Sequence, residues 1–138
     1  MKNPKWILKI EAINEDYLGF WQSRGWSESS IVKTTSVIDT ILTDSGVQTL
    51  LGGIAFAGAR GIQSVEWRVD EGSWMTAEID RPLSQFSWVL WRASAELPPG
   101  EYKITVRAID GKGEIQVEKK SKTHPNGATG YHSKIITV

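Results

Sequence analysis

From residue 47 to the C-terminus, turn signals break the chain into short pieces every eight to twelve residues, and that spacing restricts it to an all-β architecture. Asp70-Glu71-Gly72, Pro98-Pro99-Gly100 and Asp110-Gly111 are the clearest turns, since glycine and proline supply the backbone angles of a tight reversal. Between the turns the side chains alternate. Val65, Trp67 and Val69 fall on one face, with Glu66 and Arg68 on the other. Tyr102, Ile104, Val106 and Ala108 oppose Lys103, Thr105 and Arg107 in the same way. One buried and one wet face is the pattern of a sandwich strand. The spacing predicts strands near 47–57, 62–70, 73–79, 86–94, 101–109, 114–119 and 131–138, with no helix of useful length among them.

Residues 1 to about 40 have a different character. "KWILKIEAI" alternates as a strand does, with Trp6, Leu8 and Ile10 on one side and Lys5, Ile7 and Lys9 on the other. In "NEDYLGFWQSRGWS", Asn14 or Asp16 can cap a short helix that Gly25 ends. Tyr17, Phe20, Trp21 and Arg24 then form one stripe. "IVKTTSVIDTIL" is β-branched and extended. This strand-helix arm is too short to enclose a core. Trp6, Phe20, Trp21 and Trp26 must therefore fold back on the sandwich or pack on chain outside this sequence.

Composition narrows the function. A chain of 138 residues suits one domain, or one domain with an arm, and can bury roughly two-thirds of its unfolded surface without a disulfide or metal. The formal net charge of zero argues against nucleic acid as a partner, which calls for a basic face. The absence of cysteine removes disulfides, thiolate metal sites and a cysteine nucleophile. No apolar run approaches the ~18 residues of a membrane span, so no direct membrane insertion is expected, and "MKNPKWILKI" does not read as a signal peptide. With two histidines, His124 and His132, in different contexts, no histidine metal site is expected. There is no GxSxG elbow, phosphate loop or dinucleotide fingerprint, and "GGIAFAG" lies inside a β run. The chain offers no catalytic residue of its own. The seven tryptophans mark cores or interface anchors. "HPNGATGYHSKIITV" reads as a closing strand, or as a patch whose small residues let two chains approach.

One residue asks for more. Arg60 sits in "AFAGARGIQ", a loop of glycine and alanine. It is either a solvated turn charge or a guanidinium fork that small neighbours leave free to reach an oxyanion. A loop arginine rarely carries stability, so Arg60→Ala is expected to leave folding intact.

Taken together, "GIAFAGARGIQSVEWRVDEGSW", "GEYKITVRAIDGKGEIQ" and "NGATGYHSKIITV" resemble the C-terminal dimerisation domain of sulfite oxidase-type molybdopterin oxidoreductases. "KWILKIEAINEDYLGFWQSRGWSESSIVKTTSVID" resembles the end of the molybdopterin-binding domain in that family. The resemblance covers almost the whole chain and is closest to a bacterial branch whose members often carry membrane helices far upstream. It implies an immunoglobulin-like β-sandwich over 41–138 that pairs as a homodimer, with residues 1–40 as the tail of the molybdopterin-binding domain. It also implies a longer parent enzyme, on the extracytoplasmic side of a membrane, whose upstream domain is a partner within the same chain. The family holds molybdenum through a cysteine thiolate, which this sequence lacks, so the resemblance implies a non-catalytic module that binds no cofactor itself. In the parent, Lys5 matches a lysine that helps hold molybdopterin, and Arg60 matches an arginine that reaches the oxyanion substrate site. A generic immunoglobulin-like domain binding a ligand or a protein is the alternative, and it leaves the "KW…RGWS" arm without a purpose.

Overall fold

The computed structural model describes residues 7–29, 31–43 and 48–138. The strands among them are β1 (Thr35–Thr43), β2 (Gln48–Phe56), β3 (Ile62–Val69), β4 (Met75–Thr76), β5 (Glu78–Ile79), β6 (Val89–Glu96), β7 (Glu101–Asp110) and β8 (His132–Thr137). They form two four-stranded antiparallel sheets, sheet 1 in the order β1-β2-β6-β5 and sheet 2 in the order β4-β3-β7-β8. The two pack face to face as an immunoglobulin-like β-sandwich.

The alternation read from the sequence fills the space between the sheets. Val65 and Trp67 of β3 and Ile104, Val106 and Ala108 of β7 are buried against Ile38, Leu51, Ala55 and Trp91 of sheet 1. No disulfide bridges the layers, and two tryptophans occupy the centre instead. Trp91 fits because it lies over Gly53, where a Cβ would stand 2.9 Å from its ring. Its indole N–H donates to the Val37 carbonyl, so burial leaves no orphan donor. Tyr102 opens β7 and donates its hydroxyl to the Pro98 carbonyl at 3.0 Å. This is a tyrosine corner, a hallmark of immunoglobulin-like sandwiches.

The predicted strand 73–79 is two strands in different sheets. β4 pairs with β3, and β5 pairs with β6. The chain crosses between layers at Ala77, which is buried and donates its N–H to the Val65 carbonyl. The predicted strand 114–119 is reduced to a bridge between Ile109 and Ile115. Gln116 holds this stretch in place. Its side-chain oxygen accepts from Ser36 Oγ and Ala108 N–H, and its amide donates to the Gly130 carbonyl.

The arm departs most from its predicted form. Lys5 and Trp6 lie outside the described residues, and residues 7–13 form no strand. The expected helix is a single 3-10 turn, Gln22–Arg24, ended by Gly25 in the left-handed region. A helix of so few residues is marginal without packing along its whole apolar face. What forms is an edge-to-face relay: Phe20 on Trp21, Trp21 on Trp26, and Trp26 on His124 of the sandwich, with centroids 5.2, 6.4 and 5.2 Å apart. β1 begins at Thr35, so the first sandwich strand spans position 40.

Candidate functional site

Arg60 closes a 3-10 turn, Gly58–Arg60, between β2 and β3. The small residues have a local reason. Gly58 and Gly61 both take positive φ. The turn also closes against the turn after β7, where a Cβ on Gly111 would collide with the Arg60 carbonyl and Gly111 N–H donates to the Gly61 carbonyl. The loop is small so that two turns can touch.

That contact brings the guanidinium to Asp110. Arg60 Nε donates to Asp110 Oδ2 at 2.7 Å, with 20% of the Arg60 side chain exposed and 1% of the Asp110 side chain. Arg60 Nη2 donates to the Val32 carbonyl at 2.9 Å and Thr34 Oγ1 at 3.1 Å, and the Thr34 hydroxyl donates to Asp110 Oδ2. The other carboxylate oxygen accepts from the backbone N–H groups of Lys112 and Glu114. Burial works against charge on Asp110, but the bonds from Arg60, Lys112, Glu114 and Thr34 together outweigh it and hold the carboxyl below its ordinary range. Arg60 is thus no solvated turn charge. It already binds an oxyanion, and the oxyanion is internal. The node ties together the end of the arm, the β2–β3 turn and the end of β7.

Sequence reasoning singled out Arg60 and missed Asp110 and Thr34. Asp110 stands in an Asp-Gly pair, which marks a turn whatever its carboxylate contacts. Lys5 lies outside the described residues. His124 and His132 do not meet: His124 packs on Trp26, while His132 Nδ1 accepts the Ile38 N–H at 3.0 Å. Among the described residues no three His, Cys, Asp or Glu side chains converge as metal ligands.

The two outer faces of the sandwich differ. Sheet 2 is charged and self-paired outside: Arg107 bonds Glu66, Arg68 bonds Glu71, and both arginines lie over the Trp74 ring. Sheet 1 is divided outside: Arg92 bonds Glu78 and Asp80 toward the β5 edge, and apolar side chains lie beside them. The register places Leu42 beside Leu50, Val37 beside Ile54 and Ile54 beside Leu90. Phe56 stacks on Trp88 with ring centroids 5.0 Å apart.

A scan against protein-family models matches the Mo-co oxidoreductase dimerisation domain over residues 26–126. A search of curated proteins finds no match. Among solved structures, the sulfane dehydrogenase SoxCD from Paracoccus pantotrophus is similar, with a TM-score of 0.62 and 20% identity over 76% of this chain. At that identity the likeness shows the fold alone. This chain spans 30% of the length of that one. The family match takes in more than half of the 138 residues and falls on a two-sheet sandwich, and the chain belongs to the Mo-co oxidoreductase dimerisation domain family.

Proposed function

We propose that the chain is the non-catalytic pairing module of a sulfite oxidase-like molybdopterin oxidoreductase, acting in a homodimer and attached to an upstream molybdopterin-binding domain of which its arm is the end. The carrying observation is the arm itself. Leu8, Ile10, Tyr17 and Phe20 are exposed apolar side chains on a segment that leads into a sandwich of the dimerisation family. Such side chains call for a surface, and the end of a neighbouring domain supplies one.

The donor set of this chain does not fit molybdenum. The resemblance places a cysteine thiolate on the metal, and the sequence contains no cysteine. Metal and pterin belong to the upstream domain in this reading, where Lys5 reaches the pterin. Arg60 reaches the oxyanion substrate of the parent through Nη1, the nitrogen left over by its bonds to Asp110, Val32 and Thr34. Asp110 then orients the fork as well as neutralising it.

The molar mass of the purified chain, measured by light scattering over a concentration series, tests the pairing. A dimer that dissociates on dilution is expected, and a monomer throughout counts against the reading. Arg60→Lys in the full-length parent keeps the charge beside Asp110 and loses the fork. It should raise KM for an anionic substrate, and an unchanged KM removes Arg60 from the substrate site.

A further inference from the structure

We infer that the edge of β6 left open beyond β5 is a docking site for an extended basic peptide, which adds to sheet 1 as a strand and sets an apolar side chain in the cleft beside that edge. The inference does not depend on the pairing reading above.

The site arises from the layer change at Ala77. β5 covers only Glu78 and Ile79, opposite Arg92 and Trp91 of β6. Had it begun two residues earlier, Thr76 would stand opposite Ser94. Thr76 is instead paired with Glu66 in sheet 2. Along a strand, the main-chain groups of alternate residues point to the same edge. Asp80 N–H donates to the Leu90 carbonyl across the β5 edge, so the N–H and C=O of Ser94 and Glu96 point to that edge as well. Among the described residues no strand meets them there. On its other side β6 pairs with β2 in unbroken register from Val89 to Glu96. Open edges are commonly blunted by lysine, proline or a bulge. This one runs Ala93-Ser94-Ala95 and carries none of them. Its small side chains leave room for another strand.

The parting of β4 from β5 also opens a cleft of about 530 Å³ beside this edge. Leu51 and Trp67 come to it from the core, Met75 and Thr76 from β4, and Ala93 and Ser94 from β6. Ala93 and Ala95 face inward and yet are only half-buried. Met75 is 40% exposed, and its flexible thioether can adapt to an apolar side chain set against it.

A strand laid antiparallel along Ser94 and Glu96 turns every second side chain inward, to the cleft, and the others outward beside Arg92, Ser94 and Glu96. Outside, Arg92 bonds both Glu78 and Asp80, and the exposed Glu96 adds a further carboxylate. The rim is therefore negative. A matching segment is apolar at its inward positions and carries lysine or arginine at its outward ones. Main-chain bonds at an open edge, with a pocket for alternate side chains, are the means by which β-strand addition binds and selects.

The probe is a fluorescein-labelled hexapeptide alternating leucine with lysine, titrated against the intact chain by anisotropy. One comparison peptide carries glutamate for lysine. Another is N-methylated at the lysines, whose N–H groups would meet the edge. Ser94→Pro removes the edge N–H without touching the ladder to β2, and Met75→Glu puts a charge in the cleft from an exposed position; circular dichroism verifies both folds. The lysine peptide should bind, and each variant and each comparison peptide should weaken binding by about tenfold or more. No binding of the lysine peptide at about 1 mM chain overturns the inference. So does binding that survives both Ser94→Pro and N-methylation, which would make the cleft a site for small apolar molecules. Equal binding of the glutamate peptide overturns the basic partner. If Ser94→Pro does not fold, Met75→Glu and the N-methylated peptide decide.

Discussion

Arg60→Ala, harmless to folding if Arg60 were the solvated loop charge the sequence allows, is costly in the folded chain because Arg60 is bonded to buried Asp110. In the folded chain it removes the guanidinium that neutralises Asp110, whose side chain is 1% exposed. Breaking a buried pair from one side costs about 3–5 kcal/mol, because the remaining charge is left in a poor medium. Two features of this site lower the figure. Arg60 is 20% exposed, so water can reach part of the vacated space. Asp110 also retains the N–H groups of Lys112 and Glu114 and the Thr34 hydroxyl. The expected loss is about 2–3 kcal/mol at neutral pH. In a urea titration followed by circular dichroism, that moves the midpoint down by roughly 1–2 M. The pH dependence makes the test sharper. A carboxyl held below its ordinary value gives the native chain stability that is present above about pH 4 and lost as pH falls through the folded value. Without Arg60 the strongest bond favouring the charged form is gone and burial favours the neutral acid. The gap between native chain and variant should therefore narrow on acidification. A loss below about 0.5 kcal/mol at neutral pH, the worth of a surface pair, would refute the buried-node argument, as would a gap independent of pH.

Trp67→Ala empties the centre of the core and should destabilise by about 3–5 kcal/mol in the same titration; a near-native midpoint would mean the cavity collapses at no cost. His132 has a separate pH signature. Burial, then the charges of Lys134 and Lys120, pull its imidazole below the ordinary value, and its Nδ1 is needed as acceptor for Ile38 N–H. A folded pKa below the unfolded one means that stability is complete above about pH 6.5 and is lost as pH falls through the folded value. The urea midpoint should drop between about pH 7.5 and pH 5, and His132→Asn, whose Oδ1 can accept the same bond, should lack that step.

The legible parts of the fold were those encoded by local alternation. Trp67 and Val65 could be placed inward from β3 alone, because period two leaves one choice once a face is buried. The layer change at Ala77 escaped notice for the same reason: a strand that switches sheets keeps its alternation and changes only its partners. The arm failed as a helix because aromatic spacing states which residues could share a face, not whether packing runs along the whole of it. At the candidate site Arg60 was visible as an oddity, a charge among small residues. Its partner was not, since Asp110 lies 50 residues away and the contact exists only once two turns have closed on each other. The apolar run of β2 was also visible, but its outward half could be recognised only after Leu51 and Ala55 had been assigned to the core.

The node and the outer face of sheet 1 are joined by a short rigid path. Thr34 belongs to the Arg60–Asp110 node, and three residues later Val37 stands beside Ile54 on the outer face of β1. At strand rise that separation is roughly 10 Å. The intervening Ser36 is buried and bonded to Gln116, so this stretch cannot slide without breaking a satisfied core contact. The point where the arm enters the sandwich is therefore held at a fixed distance from the outer face of sheet 1, through β1 and the core contact of Ser36.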